Sequence, residues 1–167
     1  IMSTRVRALH PHDKVEDYLA RGWFSGETVD GVFAARVADN PDRLALVDPA
    51  NKAALVCAAP RRLTWADLDS ESGALAAQFL RHGLTRGDIL AVQMPNSDEM
   101  VTVFLAAWKV GIVVTPLAVQ YREHELGIVG RQAEPTAYLT SGRVGGHDLL
   151  TPALTVCREL ASVRTEA

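Results

Sequence analysis

The chain has 167 residues, a length that accommodates one domain with a core of its own. Hydrophobic residues make up 48% and charged residues 22%, which argues against an intrinsically disordered chain. A net charge of −3 and a pI near 5.9 argue against the basic stripe of a nucleic-acid-binding domain, and they require neither an acidic nor a basic partner.

Ile1, standing in front of Met2, reads as the leftover of an expression tag. Residues 1–27 read as a polar arm with few periodic apolar positions. His10 and His12 have no further ligands nearby, so they read as solvated side chains rather than a metal site. Trp23 and Phe24 are expected to pin the end of this arm onto the body. Thr28 is then placed as the N-cap of a helix through Val32, Phe33, Ala35 and Val37, ended by Asn40-Pro41. Two apolar runs follow, residues 44–47 and 54–58, separated by Asp48-Pro49-Ala50-Asn51. They predict the two strands of a hairpin. Pro60-Arg61-Arg62 leads to a short segment at Leu63.

From Thr64 the pattern becomes helical. Trp65, Leu68, Ser72, Leu75, Ala76, Phe79 and Leu80 recur at steps of three and four, giving one inward stripe. Thr64 caps this helix, with the Asp67 carboxylate facing the first-turn amides, and His82-Gly83 ends it. Residues 89–92 form a continuous apolar run, the pattern of a strand buried on both faces. Pro95-Asn96 stops it, and Ser97 is placed as the cap of a helix reaching Lys109, with Asp98 and Glu99 in its first turn. That helix is apolar almost all the way round, which predicts burial between layers. Residues 112–114 read as the next strand, stopped by Pro116. A helix over 122–130 follows, with Leu126 and Ile128 inward. Residues 137–140 read as a third strand and 149–163 as a final helix. Alternating strands and helices after residue 88 predict an α/β fold, with a mainly parallel sheet, right-handed crossovers and flanking helices, preceded by the hairpin segment.

In such sheets ligands bind at the carboxyl ends of the strands, so the loops at residues 93–97, 115–121 and 141–147 are the ones to inspect. The run Ser141-Gly142-Arg143-Val144-Gly145-Gly146 lacks the spacing of a phosphate-binding loop and reads as a flexible connection. His124 precedes no second histidine at zinc-binding spacing, and it reads as a solvated side chain at a helix start. Ser25, Ser70, Ser72 and Ser141 lack the flanking glycines of a nucleophile elbow. Cys57 and Cys157 sit in no Cys-x-x-Cys pair. Cys57 reads as inert core of a strand, Cys157 as the inner face of a helix, and the three tryptophans as core. Two thiols in a chain without a secretory signal read as reduced, hence cytoplasmic. The apolar stretch 100–117 is interrupted by Lys109, Gly111 and Pro116, too broken for the roughly 20 apolar residues of a membrane span. Composition and spacing alone therefore name no catalytic apparatus.

Three segments carry a family resemblance. LTWADLD (residues 63–69), HGLTRGDILAVQMPNSDEM (82–100) and AAWKVGIVVTPLAVQYREHEL (106–126) resemble, in order and at natural distances, signature segments of the adenylate-forming, AMP-binding enzymes. This superfamily includes acyl-CoA synthetases, aryl-acid ligases, nonribosomal adenylation domains and luciferases. In these segments Gly87 allows the turn before a strand, Asp88 bonds the backbone of that turn, and Gly111 permits close helix–strand packing. YLARGWFSGETVDGVF (18–33) resembles the lead-in of aryl-acid and alicyclic-acid ligases, which implies a small cyclic or aromatic acid, or a medium-chain fatty acid, as substrate.

The resemblance implies a two-step reaction. A carboxylate attacks the α-phosphorus of ATP–Mg²⁺ to give an acyl-adenylate and pyrophosphate, and the CoA thiol then displaces AMP. Family members stabilise the developing charge with a Ser/Thr/Gly-rich phosphate loop ending in Pro-Lys, an acidic magnesium ligand, a ribose-binding aspartate and a C-terminal lysine. None of these is found in the 167 residues. The resemblance therefore implies that residues 28–167 are the N-terminal portion of the AMP-binding large domain, truncated before the phosphate loop. By the same resemblance the chain is inactive alone, ATP, Mg²⁺ and CoA belong to the parent enzyme and none is held by this piece, and the parent takes a small-molecule carboxylic acid. Gln120 and Arg122, in the loop that lies near the mouth of the CoA channel in some members, are the candidate ligand contacts. The alternative is a stand-alone, non-catalytic binding module or pseudoenzyme of the same fold. An unrelated doubly wound nucleotide-binding domain would lack the ordered triple of motifs. Strands meant for a larger sheet leave open edges, so self-association is expected.

Overall fold

The fold is described for residues 11–160 by a computed structural model of the chain. Two helices, α1 (His12–Ala20) and α2 (Val29–Asp39), precede strand β1 (Leu44–Val47), the one-turn helix α3 (Lys52–Val56), β2 (Arg62–Thr64) and the long helix α4 (Trp65–Arg81). Strands and helices then alternate as β3 (Ile89–Gln93), α5 (Asp98–Lys109), β4 (Val113–Pro116), α6 (Glu123–Ala133) and β5 (Ala137–Thr140). A small hairpin, β6 (Arg143–Val144) with β7 (His147–Asp148), leads into α7 (Leu150–Glu159).

The sheet is parallel, in the order β4-β3-β5, with Leu90 of the central strand facing Val114 on one side and Ala137 on the other. Leu90, Ala91 and Val92 are at most 3% exposed, as their unbroken apolar run demands of a strand covered on both faces. On one face Leu90 and Val92 pack with Phe79 of α4 and Val103, Ala106 and Ala107 of α5. On the other, Ala91 meets Leu126 of α6 and Val156 of α7. Phe33, Leu63, Leu68 and Leu105 form a third cluster that joins α2, β2, α4 and α5. The α/β class with a parallel sheet and helices on both faces is thus the one the periodicity predicts.

Local punctuation follows the side-chain chemistry. Thr28 accepts from the Gly31 N–H, and Thr64 and Asp67 cap α4 reciprocally. Asp88 accepts from the Thr85 N–H and hydroxyl, closing the turn before β3. Gly111 has φ +74°, and a Cβ there would meet the Arg86 side chain, so only glycine joins α5 to β4 this tightly. Pro116 ends edge strand β4.

Several expectations are corrected. The second strand of the hairpin is β2, pairing antiparallel with β1, while residues 54–56 of the expected 54–58 strand belong to α3. Ala53 and Ala54 favour helix, and the turn over residues 48–51 that precedes α3 brings Lys52 back onto Asp48. Cys57 is exposed at the C-cap of α3 with φ +57°, not core, whereas Cys157 is buried in α7 as predicted. The arm contains α1, and Tyr18 of that helix stacks on Trp23 and Phe24; Trp23 is 65% exposed, so it does not pin the arm to the body. The helix after β3 is not wholly buried, because Val101 and Trp108 face outward. Ile128 and Leu80 also point to solvent. The glycine-rich run at 141–146 is a hairpin rather than a flexible connection. Gly145 and Gly146 both have positive φ, the requirement of a tight two-residue turn whose twist matches the strands. The expected end of the last helix at 161–163, and His10 of the histidine pair, lie outside the described residues.

Candidate functional site

The carboxyl ends of β3, β4 and β5 converge on one side chain. Gln93, the last residue of β3, is fully buried. Its Nε2 donates to the carbonyls of Ala118 (2.9 Å) and Tyr121 (3.1 Å) in the loop after β4. Its Oε1 accepts from the Tyr138 hydroxyl of β5 at 2.6 Å. Burial pushes the Tyr138 phenol up, so it remains a donor. One amide therefore ties all three strand ends together.

Gln120 and Arg122 lie in the loop so held. Gln120 is exposed at its tip. The Arg122 guanidinium donates to the carbonyls of Val119 (2.8 Å) and Tyr121 (2.7 Å), and its backbone N–H donates to Glu125 at 3.0 Å. Arg122 thus holds its own loop through Nη1 and its backbone N–H. His124 and His12 are both exposed, and His12 lies beside Glu16.

A second constellation, absent from the sequence reading, joins the hairpin segment to α5. Asp48, Lys52 and Asp98 have fully buried side chains. Asp48 accepts from Lys52 Nζ (2.8 Å), the Arg61 backbone N–H (2.9 Å) and the Asp98 backbone N–H (2.8 Å). Lys52 also contacts the carboxylates of Asp98 and Glu99, the latter at 2.7 Å. Arg61 bridges Asp98 (2.8 Å) and Glu71. The expected cap of α5 is consequently corrected: the Ser97 hydroxyl turns to Glu99, and the carboxylate that receives a first-turn N–H comes from Asp48, fifty positions upstream. The only available hint was a charged pair at i, i+4 flanking Pro49 at the end of an apolar strand.

The charges divide by their surroundings. Burial works against the Asp48 carboxylate, but its hydrogen bonds from Lys52 and two backbone N–H groups prevail and hold its pKa at about 2. Glu99 is likewise held at about 2 against burial by Lys52 and Ser97. Burial opposes the Lys52 ammonium, yet three carboxylates raise its pKa. Asp98 shifts upward because burial and the neighbouring carboxylates outweigh Lys52.

The sign of the pH dependence follows. Asp48 and Glu99 have folded values below their unfolded ones. Their stabilisation is complete above about pH 5 and is lost as pH falls from there toward 2. Asp98, shifted the other way, offsets part of that loss. Urea midpoints are expected to decline between about pH 5 and 2. In Asp48→Asn this decline should be shallower, and an unchanged slope would contradict the assignment.

The residues present do not fit the cofactors the family resemblance implies. Asp48, Asp98 and Glu99 converge, but the Lys52 ammonium occupies their centre, and among the described residues no cluster of His, Cys, Asp or Glu is suited to a metal ion. The glycines at 142–146 donate within the fold, Gly145 to the Leu55 carbonyl and Gly142 to Thr140, rather than lining a phosphate cradle. Between β1 and the start of α5 lies a shallow cleft of about 260 Å³, lined by Leu46, Val47, Asp48, Asn96, Ser97, Met100 and Val101. It is mostly apolar, and the Ser97 hydroxyl on its wall is bonded to Glu99. No described helix is long and apolar enough to cross a membrane.

A family model described as "AMP-binding enzyme" matches residues 33–166, most of the chain. Pyochelin synthase PchD of Pseudomonas aeruginosa (strain UCBPP-PA14) is 30% identical over 134 residues, covering 80% of this chain and 23% of that protein. A salicylyl-CoA synthase / salicylate adenylyltransferase of Streptomyces sp. is 29% identical over 138 residues, covering 83% of this chain and 23% of that protein. The solved structure of Klebsiella oxytoca NpsA in complex with 3-hydroxyanthranilyl-AMSN superposes with a TM-score of 0.61 at 27% identity, over 70% of this chain and 22% of NpsA. The chain thus spans less than a quarter of the length of each. Family model, relatives and fold coincide over the three motif segments: the chain belongs to the AMP-binding, adenylate-forming enzyme family.

Proposed function

We propose that these residues serve as the N-terminal part of an ATP-dependent ligase that activates an aromatic carboxylic acid as its acyl-adenylate. The observation that carries this reading is the match to a salicylate-activating relative across 83% of the chain, with the loop after β4 and strand β5 tied to the end of β3 by Gln93. The part supplied here is architectural. It forms a three-stranded piece of the large domain's sheet whose carboxyl edge is held rigid, while the groups that bind ATP and Mg²⁺ are provided elsewhere in the enzyme. The acyl group passes to a thiol, and CoA is the acceptor favoured by the sequence resemblance. Gln120, exposed on the braced loop, is assigned by this reading to meet that acceptor, and its exposure supports the assignment, with Arg122 setting the loop's shape.

The test begins with the reading frame after codon 167. It is expected to continue into a Ser/Thr/Gly-rich loop ending in Pro-Lys, and a stop codon directly after Ala167 would contradict the proposal. The continuous product should then catalyse ATP–pyrophosphate exchange with salicylate or benzoate in preference to octanoate. Exchange by the 167-residue chain alone would equally contradict a purely architectural role.

A further inference from the structure

Helix α3 and the turn at Gly145-Gly146 each lack a core of their own. Lys52 is the one buried residue of α3, and Val144 is the one buried residue of segment 143–148. A single helical turn is far short of the roughly 12 residues that hold an isolated helix in water. Strands of two residues, as in β6 and β7, are likewise marginal as an isolated hairpin. The two elements meet: α3 packs against β6, and the Leu55 carbonyl accepts from the Gly145 N–H at 2.8 Å. That carbonyl lies in the last turn of α3, where the helix offers no partner, and the Gly145 N–H belongs to no pair of the β6–β7 ladder. Each element thus supplies what the other lacks.

We propose that α3 is a strut that couples the Asp48–Lys52–Asp98–Glu99 cluster to the Gly145-Gly146 turn, which makes Lys52 a positioning residue for the loop leaving β5. The path is short and continuous. Lys52 Nζ is held by Asp48 (2.8 Å) and Glu99 (2.7 Å) and contacts Asp98, the backbone from Lys52 to Leu55 is helical, and Leu55 holds Gly145. The strut has two discrete arrangements. With Nζ seated among the carboxylates the helical turn forms and presents the Leu55 carbonyl to Gly145. With Nζ withdrawn, α3 loses its one buried anchor, and the Gly145 bond goes with it. The loop so placed follows β5 directly, at the carboxyl edge where parallel sheets bind ligands. Such coupling is reciprocal, so weakening the turn must loosen α3 in return. It rests on contacts within this chain and is independent of the proposed ligase activity.

Amide hydrogen exchange of the 167-residue chain, read residue by residue by NMR, tests the connection. Lys52→Met is compared with Gln93→Leu, since both remove buried polar partners but at different places. In Lys52→Met the Gly145 and Cys57 amides should exchange about tenfold faster or more. In Gln93→Leu the gain should fall on residues 117–122, with Gly145 within about twofold of the parent. A general loss of stability would instead speed Gly145 in both variants alike. A second variant leaves every charged group in place. Gly146 has φ +83° and is exposed, so Gly146→Ala strains the turn without touching the cluster. The Cys57 amide, which donates to the Ala53 carbonyl within α3, should then exchange about fivefold faster, with residues 117–122 unchanged. A Gly145 amide unmoved by Lys52→Met, equal acceleration in Lys52→Met and Gln93→Leu, or a Cys57 amide indifferent to Gly146→Ala would each overturn the proposal.

Discussion

Replacing Lys52 with methionine should lower stability by about 3–5 kcal/mol, because the change strands buried carboxylates without their counter-charge. Methionine keeps most of the stem, so the loss reports charge rather than volume. For a domain of this size it corresponds to a fall in Tm of roughly 10 °C. The effect should be strongly non-additive: Asp48→Asn added to Lys52→Met should restore part of the loss, because one unpaired charge goes with it. Thermal and urea unfolding of the four proteins in this cycle measure both quantities. A Lys52→Met penalty below about 1 kcal/mol would mean that the ammonium is not buried as described. The expected consequence is local as well. With Asp48 no longer anchored, the hairpin segment loosens from the start of α5, and the Asp98 amide should exchange with solvent faster.

The second large effect is expected at Gln93. Gln93→Leu keeps the approximate volume but removes two donors and one acceptor from a buried position. The Tyr138 hydroxyl and the Ala118 carbonyl lose the partners described here, and each such group costs about 1–3 kcal/mol when left buried and unpaired. A total of about 2–4 kcal/mol is expected, together with faster amide exchange across residues 117–122. Tyr138→Phe should recover part of this in the double variant, since it removes the orphaned hydroxyl. Equal exchange rates in parent and Gln93→Leu would show that Arg122 alone holds the loop.

Much of the frame was legible because it is written in local chemistry. The stripe from Trp65 to Phe79, the Thr64–Asp67 cap and the terminal glycine all act within a few residues of one another, and the structure keeps each. The same holds for β3, whose unbroken apolar run admits only a doubly covered strand. Errors fell where a distant residue decides. A short apolar run such as 54–58 reads equally as strand or helix, and the choice was made by Lys52 reaching Asp48, Asp98 and Glu99. The α5 cap was assigned to the adjacent Ser97, but the carboxylate comes from the far end of β1. The sequence pattern predicts Ile128 and Trp108 inward, but their helices have a second, unburied side on which both stand. Gln93 looked like the start of a loop. Its role as the tie between three strand ends depends on carbonyls 25 and 28 positions away, which no local pattern records.

These corrections bear on function. Arg122, a candidate ligand contact by family resemblance, also donates through Nη1 to the carbonyls of its own loop. Under the proposed reading, what the chain contributes is the rigidity of a sheet edge, set by Gln93 on one side and by the Asp48–Lys52–Asp98 cluster on the other. Family membership is shown, and the proposed aryl-acid reaction rests on the relatives, while the described residues supply the frame.

The most direct test of that claim is a chimera in which residues 28–160 replace the matching segment of the salicylate-activating relative. If these residues form the N-terminal frame of an adenylate-forming enzyme, the chimera should catalyse salicylate-dependent ATP–pyrophosphate exchange, and introducing Gln93→Leu should lower it. A chimera that folds with the parent's cooperativity yet shows no exchange above a buffer blank would contradict the account.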